Sequence, residues 1–412
     1  MKKKIVLLVM LLLLVVGGAL VGIYWDPIID WLPIDQSGWD VLDNGGQCYL
    51  DEDGDPITGW QELDGNIYYF DPDSFAMQIR WITLEDGRYY LGDDGVRRTG
   101  WQTINDKRYY LGESGAMVTG WLEQEEGKYY LSEEGIPQTG WQTIDENVYY
   151  MDETGIMQTG WLELHSFIYY LCCDGTRYTG WLELDGNKYY LKEDGSVAKG
   201  MLVIDEKTYF FTSTGANLIM VNSWFEVPEG YEPELVKLPN GKLSSVECYD
   251  PLMQMIEDCT AAGCHPDIIG AHRTVGAQQS LFNSIYQEYK DKGYGDAWSR
   301  TLKRCAKPGT SEHHLGLAFD ITDKRYPQRY TGADNAVEWL SENCYKYGFI
   351  VRYPESKTNI TGIMGEPWHF RYVGVELAAE LKDSGLCLEE YLDALTGDGS
   401  TCGNPDAVKK AA

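Results

Sequence analysis

Five of the chain's six histidines lie between residues 265 and 369, and three of them fall in two short segments rich in groups that bind metals or move protons. The first segment reads Ser311-Glu312-His313-His314-Leu315-Gly316-Leu317-Ala318-Phe319-Asp320, and the second reads Glu366-Pro367-Trp368-His369. A hydrolytic zinc centre takes three protein ligands and leaves one position open for water. Two neutral imidazoles and one carboxylate leave that centre positive, electrophilic enough to lower the pKa of a bound water. His313, Asp320 and His369 supply this set, and Glu366, three residues before a ligand, is placed to take the proton. Either segment alone is a weak signal, because lone histidines are common at surfaces and in cores. Together they point to a zinc hydrolase.

Bringing these residues to one point requires long-range folding. The stretch 249–262 reads as a helix, 267–271 as a strand, and 277–290 and 335–347 as helices by their apolar spacing. A mixed α+β domain is therefore expected over 221–396, followed by a tail over 397–412 to which no role is assigned. Residues 227–233, punctuated by Pro228, Gly230 and Pro233, read as a linker into that domain.

The two segments resemble the signatures S-x-H-x-x-G-x-A-x-D and E-x-W-H of VanY-type zinc D-alanyl-D-alanine carboxypeptidases. That family includes related dipeptidases and L,D-carboxypeptidases and shares its fold with the signalling domain of hedgehog proteins. The resemblance implies that His313, Asp320 and His369 hold one Zn²⁺ and that Glu366 is the general base. It implies that Arg273, in Ala271-His272-Arg273-Thr274, steadies the tetrahedral oxyanion or the substrate carboxylate, and that Gln278 and Ser311 hold the peptide's free C-terminus. His272 stands where the family usually has Tyr, and His314 where it often has Gln. Neighbours in extended chain face opposite ways, so His313 is read as the ligand and His314 as a bystander. Trp368 reads as core or pocket wall, Arg371 and Tyr372 as structural, and Cys305 as a buried thiol or disulfide partner. The implied reaction is removal of the terminal D-Ala from peptidoglycan pentapeptide stems. An L,D-carboxypeptidase acting on tetrapeptide stems and a non-catalytic wall adhesin remain alternatives.

Upstream, Trp recurs at 39, 60, 81, 101, 121, 141, 161 and 181, with Met201 on the next rung, and an aromatic pair follows each rung from Trp60 onward. A fixed period of this kind means an array of small units. Each unit holds two β-prone runs around a D-G, N-D or E-G turn, which predicts one hairpin per repeat with the Trp and Tyr rings buried by stacking. The pattern over 36–220 resembles the cell-wall-binding repeats of choline-binding proteins, glucan-binding proteins and clostridial toxins. Choline cages in that family carry a further Trp just before the Tyr pair. Ile67, Arg88, Arg108, Lys128, Val148, Ile168 and Lys188 stand there instead. The resemblance thus points to sugars or anionic groups of a wall polysaccharide or teichoic acid. The candidate ligand rings are Trp101, Trp121, Trp141, Trp161, Trp181, Tyr110, Tyr130 and Tyr150, with plain structural stacking as the alternative.

Lys2, Lys3 and Lys4 precede an uncharged apolar stretch over 5–25, long enough as a helix to span about 30 Å. Tyr24 and Trp25 fall where an interfacial aromatic belt would lie. A signal anchor is expected over 1–35, one transmembrane helix with the bulk of the chain outside; a cleaved signal is the alternative. The 412 residues carry 34 Lys and Arg against 64 Asp and Glu, a net charge of −30. Residues 36–220 hold 33 acidic and 12 basic groups, a net of −21. Nucleic-acid binding is excluded, since it needs a basic face. Ten cysteines in an exported chain could pair, and none forms a C-x-x-C motif of a tetrathiolate site.

Overall fold

The computed structural model describes residues 36–332, 335–396 and 400–405. The expected anchor over 1–35 lies outside them, as does most of the tail. Among the described residues no helix is long and apolar enough to cross a membrane. The chain divides into two compact units: residues up to Gln142 with Tyr150–Met157, and Thr143–Tyr149 with everything from Gln158 onward.

Each repeat is an antiparallel hairpin, as expected. Gly100–Ile104 pairs with Lys107–Leu111, with Trp101 opposite Tyr110 and Thr103 opposite Arg108. The connecting Asn105 and Asp106 both take positive φ, 50° and 62°, the geometry of a two-residue turn whose twist matches the strands. The burial differs from the expectation. Leu91, Leu111 and Leu131, each just after a Tyr pair, are at most 1% exposed, and the first Tyr of each pair (Tyr89, Tyr109, Tyr129) is also buried. Trp101, Trp121, Tyr110 and Tyr130 stay half-buried. A strand sends alternate residues to opposite faces, so the Leu and the first Tyr face the dry side while the Trp and second Tyr share the other. Successive repeats are joined by single backbone bonds, Met117 to Arg88 (2.7 Å) and Met157 to Lys128 (2.8 Å). Gly115, at φ +85°, leaves room for the Arg97 side chain, which a Cβ there would meet at 2.5 Å.

In the second unit the last hairpin, Gly200–Ile204 with Lys207–Phe211, gains a short third strand, Asn217–Leu218. Phe210 and Met220 share an apolar cluster with Leu377, Leu381, Leu388 and Leu392. Met201 donates its backbone N–H to Thr396 Oγ1 at 2.8 Å. The repeat period ends near residue 215, but the last repeat is continuous with the packing of the α+β domain. Residues 227–233 are strapped down as well: Val227 bonds to Gly309, and Tyr231 packs on the main core.

The domain is built on four antiparallel strands, β1 (Pro266–Gly270), β2 (Ala318–Asp323), β3 (Phe349–Tyr353) and β4 (Glu366–Tyr372), in the order β1-β2-β4-β3. Helices α1 (Tyr249–Ala261), α2 (Val275–Asp291) and α4 (Ala336–Asn343) fall where the apolar spacing places them, and α3 (Ala297–Arg304) precedes the first signature. The helix expected to reach residue 347 ends at Asn343 and continues as one tighter turn, Cys344–Tyr347, closed by Gly348 at φ +83°. Phe319, Ile321, Phe349 and Phe370 turn one sheet face onto Leu252, Met255 and Leu340. Strand alternation then sends Asp320 and His369 to the opposite face. Two further helices, α5 (Val375–Ser384) and α6 (Leu388–Thr396), complete the domain. Among the described residues no disulfide is formed.

Candidate active site

Asp320 and His369 are direct register partners across β2 and β4, so their side chains rise side by side. His313 arrives from the turn Glu312–Leu315 just before β2, which Gly316 ends in the left-handed region at φ +71°. Ligand atoms of His313, Asp320 and His369 all lie within 4.8 Å of one another. His313 Nδ1 donates to the Ala271 carbonyl (2.8 Å), which fixes the tautomer and leaves the Nε2 lone pair facing Asp320 Oδ2 at 3.2 Å. His369 presents Nδ1, 3.0 Å from Asp320 Oδ1. Two imidazole nitrogens and a carboxylate oxygen, largely dry and pre-oriented, are a donor set suited to Zn²⁺. Gly270 makes room for it: a Cβ there would lie 2.1 Å from Asp320 Oδ2.

Glu366 opens β4. The register of β3 and β4 shifts between Val351 and Tyr353, and Glu366 Oε2 comes to 3.7 Å from His369 Nδ1 although the two are three residues apart. Burial pushes the Glu366 carboxyl up to about 7, a rise that Asp320 reinforces and that His369 and Arg273 partly offset. A carboxyl so placed can both accept and return a proton near neutral pH. Burial opposes a charge on His369, but the Asp320 carboxylate hydrogen-bonded to it and the neighbouring Glu312 carboxylate outweigh it and raise the imidazole to about 9.

Arg273 follows β1 and points at the same spot, with Nη2 3.6 Å from Asp320 Oδ2. Its Nη1 donates to Gln278 Oε1 at 2.8 Å. Gln278 is 1% exposed, and its Nε2 is taken by the Ala306 carbonyl (2.7 Å) and Cys305 Sγ (3.2 Å). Its amide is thus committed to holding Arg273 and the 305–306 turn. Ser311 lies in the wall of the cleft together with Ile363, Tyr353 and Trp368. Trp368 also packs on Tyr330, with ring centroids 4.7 Å apart. His314 points away from the cluster. Its Nδ1 bonds to the Arg273 carbonyl (2.6 Å) and its Nε2 accepts from Gly309 N–H (3.2 Å), so it braces the segment that carries Arg273. Cys305 is a buried free thiol in the cleft wall.

Beneath the cluster lies a network of buried charges, of which only Arg371 stood out in the sequence. Arg352, fully buried, donates to Glu312 Oε1 (2.8 Å) and to both oxygens of Glu389 (2.6 and 2.8 Å). Arg371 Nη1 lies 3.1 Å from Glu312 Oε1, and its Nη2 donates to the Ile219 carbonyl at 2.8 Å. Asn222 donates to Glu389 Oε1 at 3.1 Å. The available signal was an arginine inside each of two strands, Phe349–Tyr353 and Glu366–Tyr372, because a buried arginine demands carboxylate partners.

Two imidazoles and a carboxylate around one point, with a second carboxyl raised beside them, are the parts of a hydrolytic metal centre. A family model described as D-alanyl-D-alanine carboxypeptidase (VanY) matches residues 242–375. A choline-binding repeat model matches 98–135, 138–174 and 178–224, and a putative cell wall binding repeat model matches 58–73. The chain is 41% identical over 179 residues to a D-alanyl-D-alanine carboxypeptidase of Enterococcus faecalis, covering 43% of this chain and 66% of that protein's length. It is 37% identical over 142 residues to the bifunctional D-Ala-D-Ala dipeptidase and carboxypeptidase VanXYC of Enterococcus gallinarum, covering 33% of this chain and 71% of that one. Among solved structures, VanYB in complex with D-alanine-D-alanine matches at 42% identity with a TM-score of 0.40, over 42% of this chain and 96% of the other. The chain belongs to the VanY family of D-alanyl-D-alanine carboxypeptidases and carries choline-binding-type repeats upstream of that domain.

Proposed function

We propose that the protein is a zinc-dependent D,D-carboxypeptidase that removes the terminal D-Ala from peptidoglycan stem peptides. Its repeats hold it on the wall, and the 1–35 segment anchors it in the membrane. The observation that carries the reading is the coincidence of the three-ligand cluster with a carboxyl raised to about 7 and a guanidinium at its edge. Bound at His313, Asp320 and His369, zinc would supply Lewis acidity to a water and to the scissile carbonyl. Glu366 takes the proton from the attacking water and returns it to the leaving amine. Arg273, held by Gln278, faces the charge that develops on the carbonyl oxygen. Ser311 and Trp368 form the wall against which the peptide end lies.

On the repeats, the half-buried tyrosines Tyr110, Tyr130 and Tyr150 support sugar stacking. The face of Trp81 is covered by Arg88 (4.2 Å), that of Trp101 by Arg108 (3.8 Å), that of Trp121 by Lys128 (4.3 Å) and that of Trp181 by Lys188 (4.7 Å). A cation of the chain itself sits where a quaternary ammonium would, which favours wall sugars and their anionic substituents over choline.

The test is Glu366→Ala, assayed for D-Ala release and for sedimentation with insoluble walls. The expected result is lost turnover with wall binding retained. Retained turnover would remove Glu366 from the role of base.

A further inference from the structure

Two buried polar atoms face each other at the back of the metal cluster. Glu312 Oε2 and His369 Nε2 are 3.6 Å apart, and neither makes a hydrogen bond in the structure. Both side chains are almost completely buried, so no solvent satisfies them. Orphaned buried groups cost free energy, and a small turn of the ring closes this gap to hydrogen-bond length. His369 Nδ1 lies 3.0 Å from Asp320 Oδ1 on its other edge, and once Nδ1 gives its lone pair to a metal, Nε2 is the nitrogen left to carry the proton. A carboxylate is the acceptor that proton needs.

Glu312 is not free to move. Its Oε1 is pinned by Arg352 at 2.8 Å and flanked by Arg371 at 3.1 Å, and Arg352 is gripped in turn by Glu389. Two arginines balance two glutamates, so the carboxylate is held charged in a dry interior. One oxygen is anchored and the other is aimed at the histidine.

We propose that Glu312 is a positioning residue for the metal site. Its carboxylate fixes His369 with Nε2–H inward and Nδ1 outward, ready to coordinate. The inference rests on the reading of His313, Asp320 and His369 as metal ligands.

The test compares Glu312→Gln with Glu389→Gln in the full chain. Both remove one carboxylate charge from Arg352, but only Glu312 faces His369. Zinc affinity is read by competition with a chromophoric chelator, and ligand geometry by the visible spectrum of the cobalt-substituted protein. E312Q is expected to lose about 10- to 100-fold in zinc affinity and to shift the cobalt bands, while E389Q stays within about threefold of the parent with unchanged bands. Equal losses in the two variants, or an unchanged E312Q, would overturn the proposal. If E312Q does not fold, Glu312→Asp keeps the charge for the arginines but withdraws it from His369. The same loss of affinity is expected there, and parental affinity would overturn the proposal. A parent chain that fails to bind one zinc would instead sink the metal-site reading itself.

Discussion

In the repeats, similar elements recur with similar surroundings. Trp101 packs edge-on against Tyr110 of its own hairpin and Tyr129 of the next, and Trp161 does the same with Tyr170 and Tyr189, all at about 5 Å between centroids. Each of these ring contacts spans fewer than thirty residues of chain. The candidate catalytic cluster is the opposite case: each member is unique, and Arg273, His313, Asp320, Glu366 and His369 come together across almost a hundred residues. If the rings bind the wall as proposed, many weak, equivalent contacts give binding that tolerates the loss of any one. A single cluster built on one buried ion network gives chemistry that tolerates none. The repeats are therefore expected to degrade gradually under substitution, and the cluster abruptly.

A break in both turnover and metal retention is expected from Gly270→Ala. The added methyl takes the space of the Asp320 carboxylate, so the ligand must swing away. A loss of at least about 100-fold in turnover is expected, with zinc retention also reduced, since misplacement on the scale of an ångström is that costly. Parental zinc retention, measured by metal analysis after gel filtration, would show that the ligand cluster relaxes as the repeats do.

Arg273 and Gln278 sharpen the same contrast within the cluster. Arg273→Ala is expected to lower kcat by about 100- to 1,000-fold, the usual cost of removing one oxyanion-facing donor. Gln278→Ala leaves the guanidinium present but unsupported, and a smaller drop of about tenfold is expected on the same scale. A drop in Q278A as large as in R273A would make Gln278 a direct substrate contact instead.

Asp323 tests whether the scaffold next to the site is as intolerant as the site. Burial would raise its carboxyl, but hydrogen bonds from Arg325 and from the backbone N–H of Ala336 hold it well below its ordinary 3.8. Its folded-state pKa is depressed, so its contribution to stability is present above about pH 4 and is lost as pH falls. Asp323→Asn should cost about 2–3 kcal/mol at neutral pH, and the gap to the parent should narrow in denaturant titrations carried out in acid. A gap that does not change with pH would place the effect outside the ionised carboxylate.

The smallest effect is expected from Trp161→Ala. Its ring is 41% exposed and touches two tyrosines. Loss of one such ring should weaken wall binding by about threefold, with activity on a soluble peptide unchanged. Abolished binding would mean that one repeat dominates, against the picture of equivalent rings.

The hairpins were legible because the turn dipeptides and the spacing of Trp101, Trp121 and Trp141 repeat a local pattern. The position of the dry rung was not, because Leu111 and Trp101 are both apolar and only the strand pairing decides which faces inward. At the site, the spacing of His313, Asp320, Glu366 and His369 already contains the chemistry. Gln278 shows where that reasoning stops: residue type cannot say whether an amide faces a ligand or a neighbour, and here it is buried against Arg273 and Ala306. The Glu312–Arg352–Glu389 network was hidden because its partners lie about forty residues apart and are residue types that usually mark a surface.

The most direct test gives the zinc-loaded chain a synthetic pentapeptide stem and a tetrapeptide stem in parallel, with released alanine read by mass spectrometry. Alanine from the pentapeptide alone, stopped by a chelator, is the predicted result. Alanine from the tetrapeptide would move the assignment to an L,D-carboxypeptidase. Release from neither would contradict a carboxypeptidase altogether and leave wall binding as the function of the chain.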